Sequence, residues 1–237
     1  MTDALKDWRV LLVGGSGGIG TAVAEAMLAE GVAELIVAPP AAHLRGGRVS
    51  AEQVDLINRQ SVEAMAARLS ARPLHAVVNC AGVNGNRRLF DGDWAGRARR
   101  EMDVNYFGML NLAAAFGPLL AAQPGGRFMT LLSFLSHATV PGMTSYCASK
   151  AAAHSALKGL RAEWATVGVQ VCGVYPTAVD TAMSRDVQGQ KQSPRDLARE
   201  ILRALVDGQE ELYPGDAADA FKAFLADPLG MQRAMLN

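Results

Sequence analysis

A short apolar run, Arg9–Val13, opens directly into Gly14-Gly15-Ser16-Gly17-Gly18-Ile19-Gly20, and a helical pattern, Gly18–Glu30, follows. Glycines without a Cβ let the chain turn sharply and approach a bound group closely. At the helix start the backbone N–H groups lack intrahelical partners, and with the helix dipole they favour a phosphate. A glycine cluster alone marks a turn. At the first strand-to-helix junction of an α/β chain it marks the place where a dinucleotide's pyrophosphate sits.

The rest of the chain has that alternation. Strands are predicted at Arg9–Val13, Leu35–Ala38, Glu52–Val54, Leu74–Asn79, Arg127–Ser133 and Val169–Val174. Helices are predicted at Gly18–Glu30, Arg59–Ser70, about Trp94–Leu120 and Ser145–Thr166. Several strands are nearly continuous apolar runs, as strands buried on both faces are. The order implies an α/β fold: one Rossmann-type, doubly wound parallel β-sheet with helices on both faces. Further on come a helix at Pro194–Val206 with Ser193 as N-cap, a short strand at Glu211–Tyr213 and a last helix at about Ala217–Leu225, ending before Pro228. No repeat, low-complexity segment or linker divides the chain. Residues 1–237 read as a single domain, with about 184–237 forming a substrate loop and C-terminal elements of that domain.

Composition removes several classes. Lys+Arg and Asp+Glu are 23 each, so the formal net charge is zero. No surplus positive charge favours nucleic acid or an anionic membrane. The N-terminal MTDALKDWRVLLV does not have the pattern of a signal peptide. The most apolar long stretch, Met109–Ala122, is interrupted by Asn111, Gly117 and Pro118. Cys80, Cys147 and Cys172 are scattered, with no CxxC pair, which argues against a disulfide framework and a metal site. The expectation is a cytoplasmic protein with no metal, nucleic acid or membrane partner.

The spacing Gly14-x-x-x-Gly18-x-Gly20 resembles the glycine motif of the short-chain dehydrogenase/reductase family, with Val13 where a Thr is usual. The resemblance continues in order to Thr181. Asp55, followed by Leu56, matches the acidic residue that contacts adenine. Asn79-Cys80-Ala81-Gly82 matches Asn-Asn-Ala-Gly, and Asn105 the helix Asn. Ser133, Tyr146 and Lys150 match the catalytic set. Pro176-Thr177-Ala178-Val179-Asp180-Thr181 matches Pro-Gly-x-Val-x-Thr, with Thr177 replacing Gly. The resemblance implies a nicotinamide dinucleotide held by Gly14, Ser16, Gly17, Gly18, Ile19, Gly20, Asp55, Leu56, Asn79, Ala81, Gly82, Tyr146, Lys150, Pro176, Val179 and Thr181.

The residue chemistry agrees. Tyr146 and Lys150, four apart, share one helix face. A phenol with pKa about 10 is a poor base at neutral pH, and a neighbouring ammonium lowers that pKa. Tyr146 then gives a proton to a carbonyl oxygen or takes one from an alcohol. Ser133, at a strand end, stabilises charge on the reacting oxygen; Ser136 is its competitor. By resemblance, Lys150 also reaches the nicotinamide ribose, and Asn105 holds a water linking Lys150 to solvent.

A carboxylate at the end of the second strand binds the ribose hydroxyls and repels a 2′-phosphate. Here that position holds Pro39, with Arg45 and Arg48 following and no acid before Glu52, so NADP(H) is favoured over NAD(H). The implied reaction is hydride transfer between the nicotinamide and a carbonyl or secondary alcohol. A catalytically idle dinucleotide-binding regulator on the same fold is the alternative. An extended-type nucleotide-sugar epimerase fits the length and glycine spacing less well. Steroid, polyol, quinone and aliphatic ketone remain open as substrates, and the short loop after Thr181 suggests an open pocket. On the Ser145–Thr166 helix, Ala148, Ala152, Ser155, Gly159 and Ala162 form an outward stripe of small residues, which suggests close packing by another helix. The resemblance implies a homodimer, or a tetramer, through this helix and the long one before it.

Overall fold

The computed structural model describes residues 4–44 and 46–236. The chain runs β1 (Arg9–Val13), α1 (Gly18–Ala29), β2 (Glu34–Ala38), β3 (Val49–Ala51), α2 (Arg59–Leu69), β4 (Ala76–Asn79), α3 (Trp94–Met102) and α4 (Gly108–Ala121). It continues with β5 (Arg127–Leu131), α5 (Thr144–Ala165), β6 (Gln170–Val174), α6 (Pro194–Asp207), β7 (Glu211–Leu212), α7 (Ala217–Ala226) and α8 (Pro228–Leu236). The seven strands are all parallel, in the order β3-β2-β1-β4-β5-β6-β7. This is the doubly wound α/β sheet expected from the sequence.

Alternation in β1 shows how the sheet serves two cores. Val10 and Leu12 pack with Val23 and Met27 of α1 and Ile201 and Leu205 of α6. Leu11 and Val13 face the other way, against Met65 of α2, Phe116 of α4 and Leu157 of α5. All four β1 residues are fully buried, as period-2 side chains of a sheet covered on both faces must be. α3 and α4 form one continuous helical stretch, Trp94–Ala121, long and apolar enough to cross a membrane. Its apolar side chains Met109, Leu112, Phe116 and Leu120 are buried against the sheet. Gly117 permits the approach of α5, since a Cβ there would stand 2.8 Å from the Trp164 ring.

Two elements differ from the sequence expectation. The third strand is Val49–Ala51 rather than Glu52–Val54. It pairs with Leu35–Val37, and the Glu52 N–H only continues the ladder to the Val37 carbonyl. This edge strand is mostly exposed, so no buried face writes its register into the sequence. Glu52 instead turns to Arg68, at 2.8 Å. At the other end of the chain, α7 ends at Ala226, before Pro228 as expected, but Pro228 is itself helical. It opens α8, where its fixed φ and missing N–H suit a first helical turn.

Candidate active site

The strand order reverses between β1 and β4, and ligands of such sheets bind beyond the carboxyl ends of the strands at that point. A cleft of about 930 Å³ lies there, near the top of the range for small-molecule sites, roughly 300–1,000 Å³. Of the sixteen positions expected to hold the dinucleotide, fifteen line it; Asn79 does not.

The glycine loop forms one wall. Gly14 has φ +82°, and a Cβ there would stand 2.6 Å from the Ala81 nitrogen, so the β1 and β4 ends meet only through a glycine. Gly17 is the N-cap of α1 and offers no side-chain cap, and the first turn of α1 carries no acid. The first α-helical bond in this turn runs from the Thr21 N–H to the Gly17 carbonyl at 2.8 Å. The N–H groups of Gly18, Ile19 and Gly20 thus stand at the cleft wall as the anion-binding end of a helix. A Cβ on Gly17 would find only the Gly14 oxygen, at 3.5 Å, and a Cβ on Gly18 would press Thr181 at 2.8 Å. The cradle fits a pyrophosphate, which needs free N–H groups and a wall without side chains.

Asn79 and Asn105 hold this wall from behind. Asn79 is 3% exposed; its Nδ2 donates to Thr130 and its Oδ1 accepts from the Ala81 N–H, both at 3.1 Å. Asn105 sits in a π-helical turn, Asp103–Phe107, between α3 and α4. Its Oδ1 accepts from the Val83 N–H at 2.8 Å, and Nδ2 donates to the Val83 carbonyl and the Ser149 hydroxyl, both at 2.9 Å. Both amide hydrogens are thereby used in clamping the loop after β4. Neither Asn side chain forms part of the cleft wall.

Ser133, Tyr146 and Lys150 come together on the cleft floor. Ser133 follows β5, and its hydroxyl also accepts from the Leu135 N–H at 3.1 Å. Ser136 is buried away from the cleft wall. Burial pushes the Tyr146 phenol up to about 12, partly opposed by its hydrogen bond with Ser133. Burial pulls Lys150 down to about 8, partly opposed by Cys80. The Lys150 Nζ lies 5.8 Å from the Tyr146 ring centre. The phenol is therefore raised here, not lowered as the sequence suggested, because loss of solvent outweighs the hydrogen bond with Ser133, while the ammonium is turned toward Leu131. Burial also holds the Cys80 thiol up at about 12, far from a reactive thiolate.

A sequence model of short chain dehydrogenases matches residues 9–192. The chain belongs to the short-chain dehydrogenase/reductase family. A short chain dehydrogenase from Burkholderia cenocepacia J2315, solved in complex with NADP, superposes with a TM-score of 0.90 at 33% identity, over 98% of each chain. An uncharacterized oxidoreductase, DltE, of Bacillus subtilis is 31% identical over 86% of each protein. A galactitol 2-dehydrogenase of Rhizobium johnstonii is 30% identical over 78% of this chain and 76% of that protein. As a short-chain dehydrogenase/reductase, the protein is a nicotinamide-dependent oxidoreductase acting on a small molecule.

Sequence reasoning missed parts of this enzyme's site. Met235 of α8 lines the cleft. Gln232, one turn earlier, accepts from the Thr139 N–H at 2.9 Å and donates to the Thr139 carbonyl at 2.7 Å. Pro228 at a helix start was the available signal for α8. Also missed was a ring cluster behind the Ser133 segment, where His137 packs against His154, Tyr175, Tyr213, Phe221 and Phe224. Residues scattered over 88 positions, from 137 to 224, leave no local pattern.

Proposed function

We propose that this enzyme moves hydride between a nicotinamide and a carbonyl or secondary alcohol, with Tyr146 as general acid/base. The observation that carries this reading is the convergence of Ser133, Tyr146 and Lys150 on one cleft floor beside the glycine cradle. A bound nicotinamide supplies or accepts the hydride. Tyr146 is a protonated phenol at neutral pH, the more so for its burial, so it is set to donate to a carbonyl oxygen. The Ser133 hydroxyl orients that oxygen and stabilises its developing charge. Lys150, held by Leu131, places a positive charge beside the phenolate left after donation. Asn105 is a positioning residue that fixes the loop over Lys150.

NADP(H) is the proposed cofactor. Pro39 lines the cleft where a carboxylate would repel a 2′-phosphate, and no acid lies between it and Glu52. The NADP complex of the Burkholderia relative supports the reading. Arg48 is a poor phosphate contact: its carbonyl accepts from Leu35 at the opposite end of β2, about 10 Å of strand from Ala38. Arg45 lies outside the described residues. A homodimer through α5 is also proposed, because Ala148, Ser155, Gly159 and Ala162 are exposed and open space adjoins Gly159. One domain, 1–237, carries the cofactor cradle and the proposed substrate wall.

The test is titration with NADPH and NADH by nicotinamide fluorescence, followed by a panel of ketones, quinones and polyols with each cofactor. NADPH should bind more tightly, and at least one carbonyl should be reduced. Tight cofactor binding with no turnover would favour a regulatory dinucleotide binder, and preference for NADH would reject the cofactor assignment.

A further inference from the structure

Beyond Ser133 and Tyr146 the cleft continues between the segment after β5 and the C-terminal helix. Its wall there is Leu135, Val140, Met143, Met183, Val187 and Met235. Three polar side chains that also line the cleft each hold intramolecular partners. Asn84 Oδ1 accepts from the Asn86 N–H at 2.8 Å, and its Nδ2 faces Met143 Sδ at 3.5 Å. The Ser184 hydroxyl donates to the Val179 carbonyl and accepts from the Thr181 N–H. The Thr177 hydroxyl donates to Asp216. Of the charged wall residues, Lys150 is held by Leu131, while Asp55 and Arg100 are exposed to solvent.

We propose that this wall selects an apolar ketone or secondary alcohol over polyols, sugars and carboxylates, with Met143, Met183 and Met235 as specificity-determining residues. The proposal rests on the hydride-transfer reading and names its substrate class. A substrate hydroxyl placed against these six apolar side chains loses water and finds no partner on them, which weakens binding by roughly five- to a hundredfold per hydroxyl. Each buried methylene strengthens it by about fourfold. Three thioethers, unbranched and polarizable, adapt to apolar groups of different shape. The paired hydrogen bonds between Gln232 and Thr139 tie α8 to the segment that carries Val140 and Met143. The cover over the substrate thus comes from the C-terminal helix as well as the loop after Thr181.

The test is kcat/KM, with oxidised cofactor, for butan-2-ol, hexan-2-ol and octan-2-ol against galactitol and 3-hydroxyoctanoate. Values should rise about fourfold per methylene and leave both polar substrates at least tenfold below octan-2-ol. Met235→Ala should flatten the dependence on chain length, and Met235→Gln should narrow the gap to galactitol. A flat series, or preference for galactitol or the hydroxy acid, would overturn the proposal while leaving hydride transfer standing. Calorimetry of octan-2-one and galactitol on the Tyr146→Phe protein with cofactor decides the case in which nothing is turned over. Octan-2-one binding at least tenfold more tightly would uphold the apolar wall while the hydride-transfer reading fails. Tighter galactitol binding, or no binding of either, would overturn the wall as well.

Discussion

The Lys150 ammonium donates to the Leu131 carbonyl at 2.8 Å, so the cation of the cleft floor is anchored to the end of a sheet strand and not to a carboxylate. Burial loosens its proton, to about 8. In ketone reduction, Tyr146 leaves as a phenolate that this ammonium stabilises. The reductive kcat/KM should therefore fall as pH rises through about 8, and Lys150→Met should remove that limb with a large loss of turnover. A profile flat from about pH 6 to 9 would detach Lys150 from the chemistry.

The glycine cradle can be tested without disturbing the fold. Gly17 has φ −79° and ψ 161°, which any residue adopts, and its Cβ would make only an ordinary contact with the Gly14 oxygen at 3.5 Å beside the cleft. Gly17→Leu should leave thermal stability within a few degrees of wild type and weaken cofactor binding at least tenfold. Unchanged affinity in the folded variant would remove the pyrophosphate from this loop. Gly14→Ala is the contrasting case, because φ +82° and the Ala81 backbone forbid it sterically.

The ring cluster makes stability depend on acid. Burial pulls His137 down to about 4, with His154 and Lys158 adding repulsion and Glu211 opposing. Its other ring partners include Tyr175, Tyr213, whose hydroxyl lies 3.1 Å from Nε2, and Phe221 and Phe224 of α7. A lowered folded pKa means that the unfolded chain binds more protons between about 4 and 6.5. Stability is full above about 6.5 and is lost as pH falls toward 4, by an amount on the order of 2–3 kcal/mol. His137→Gln should flatten the decline in melting temperature over that window; an equal decline in both proteins would place the acid sensitivity elsewhere.

Much of this site was legible because its signals are local. The glycine run names a strand, a turn and a helix at once, and Tyr146 and Lys150 share a face through a fixed helical period. Fifteen dinucleotide positions reach the cleft for that reason. For Asn79 the motif gives the position but not the partners: Thr130, 51 residues away, takes the amide. The phenol's direction of shift was misjudged because burial on the cleft floor belongs to the assembled sheet and helices, not to a four-residue spacing. α8 has an ambiguous signal, since Pro228 suits both the end of one helix and the start of the next.

Association should depend on Gly159. No atom stands within 4 Å of a Cβ placed there, so a large side chain does not disturb the subunit itself. Light scattering at micromolar concentration should show a wild-type dimer and a Gly159→Trp protein shifted toward monomer. A monomeric wild type would refute the dimer, and an unaffected variant would move the interface away from α5.

The most direct measurement compares wild type with Tyr146→Phe in single-turnover reduction of a ketone by NADPH. The ring and its packing stay, and only the transferable proton is removed. Turnover should fall by at least the roughly 10²–10⁴-fold typical of a general acid, with NADPH affinity within a few-fold of wild type. Near-normal turnover with cofactor bound would contradict the assignment of Tyr146.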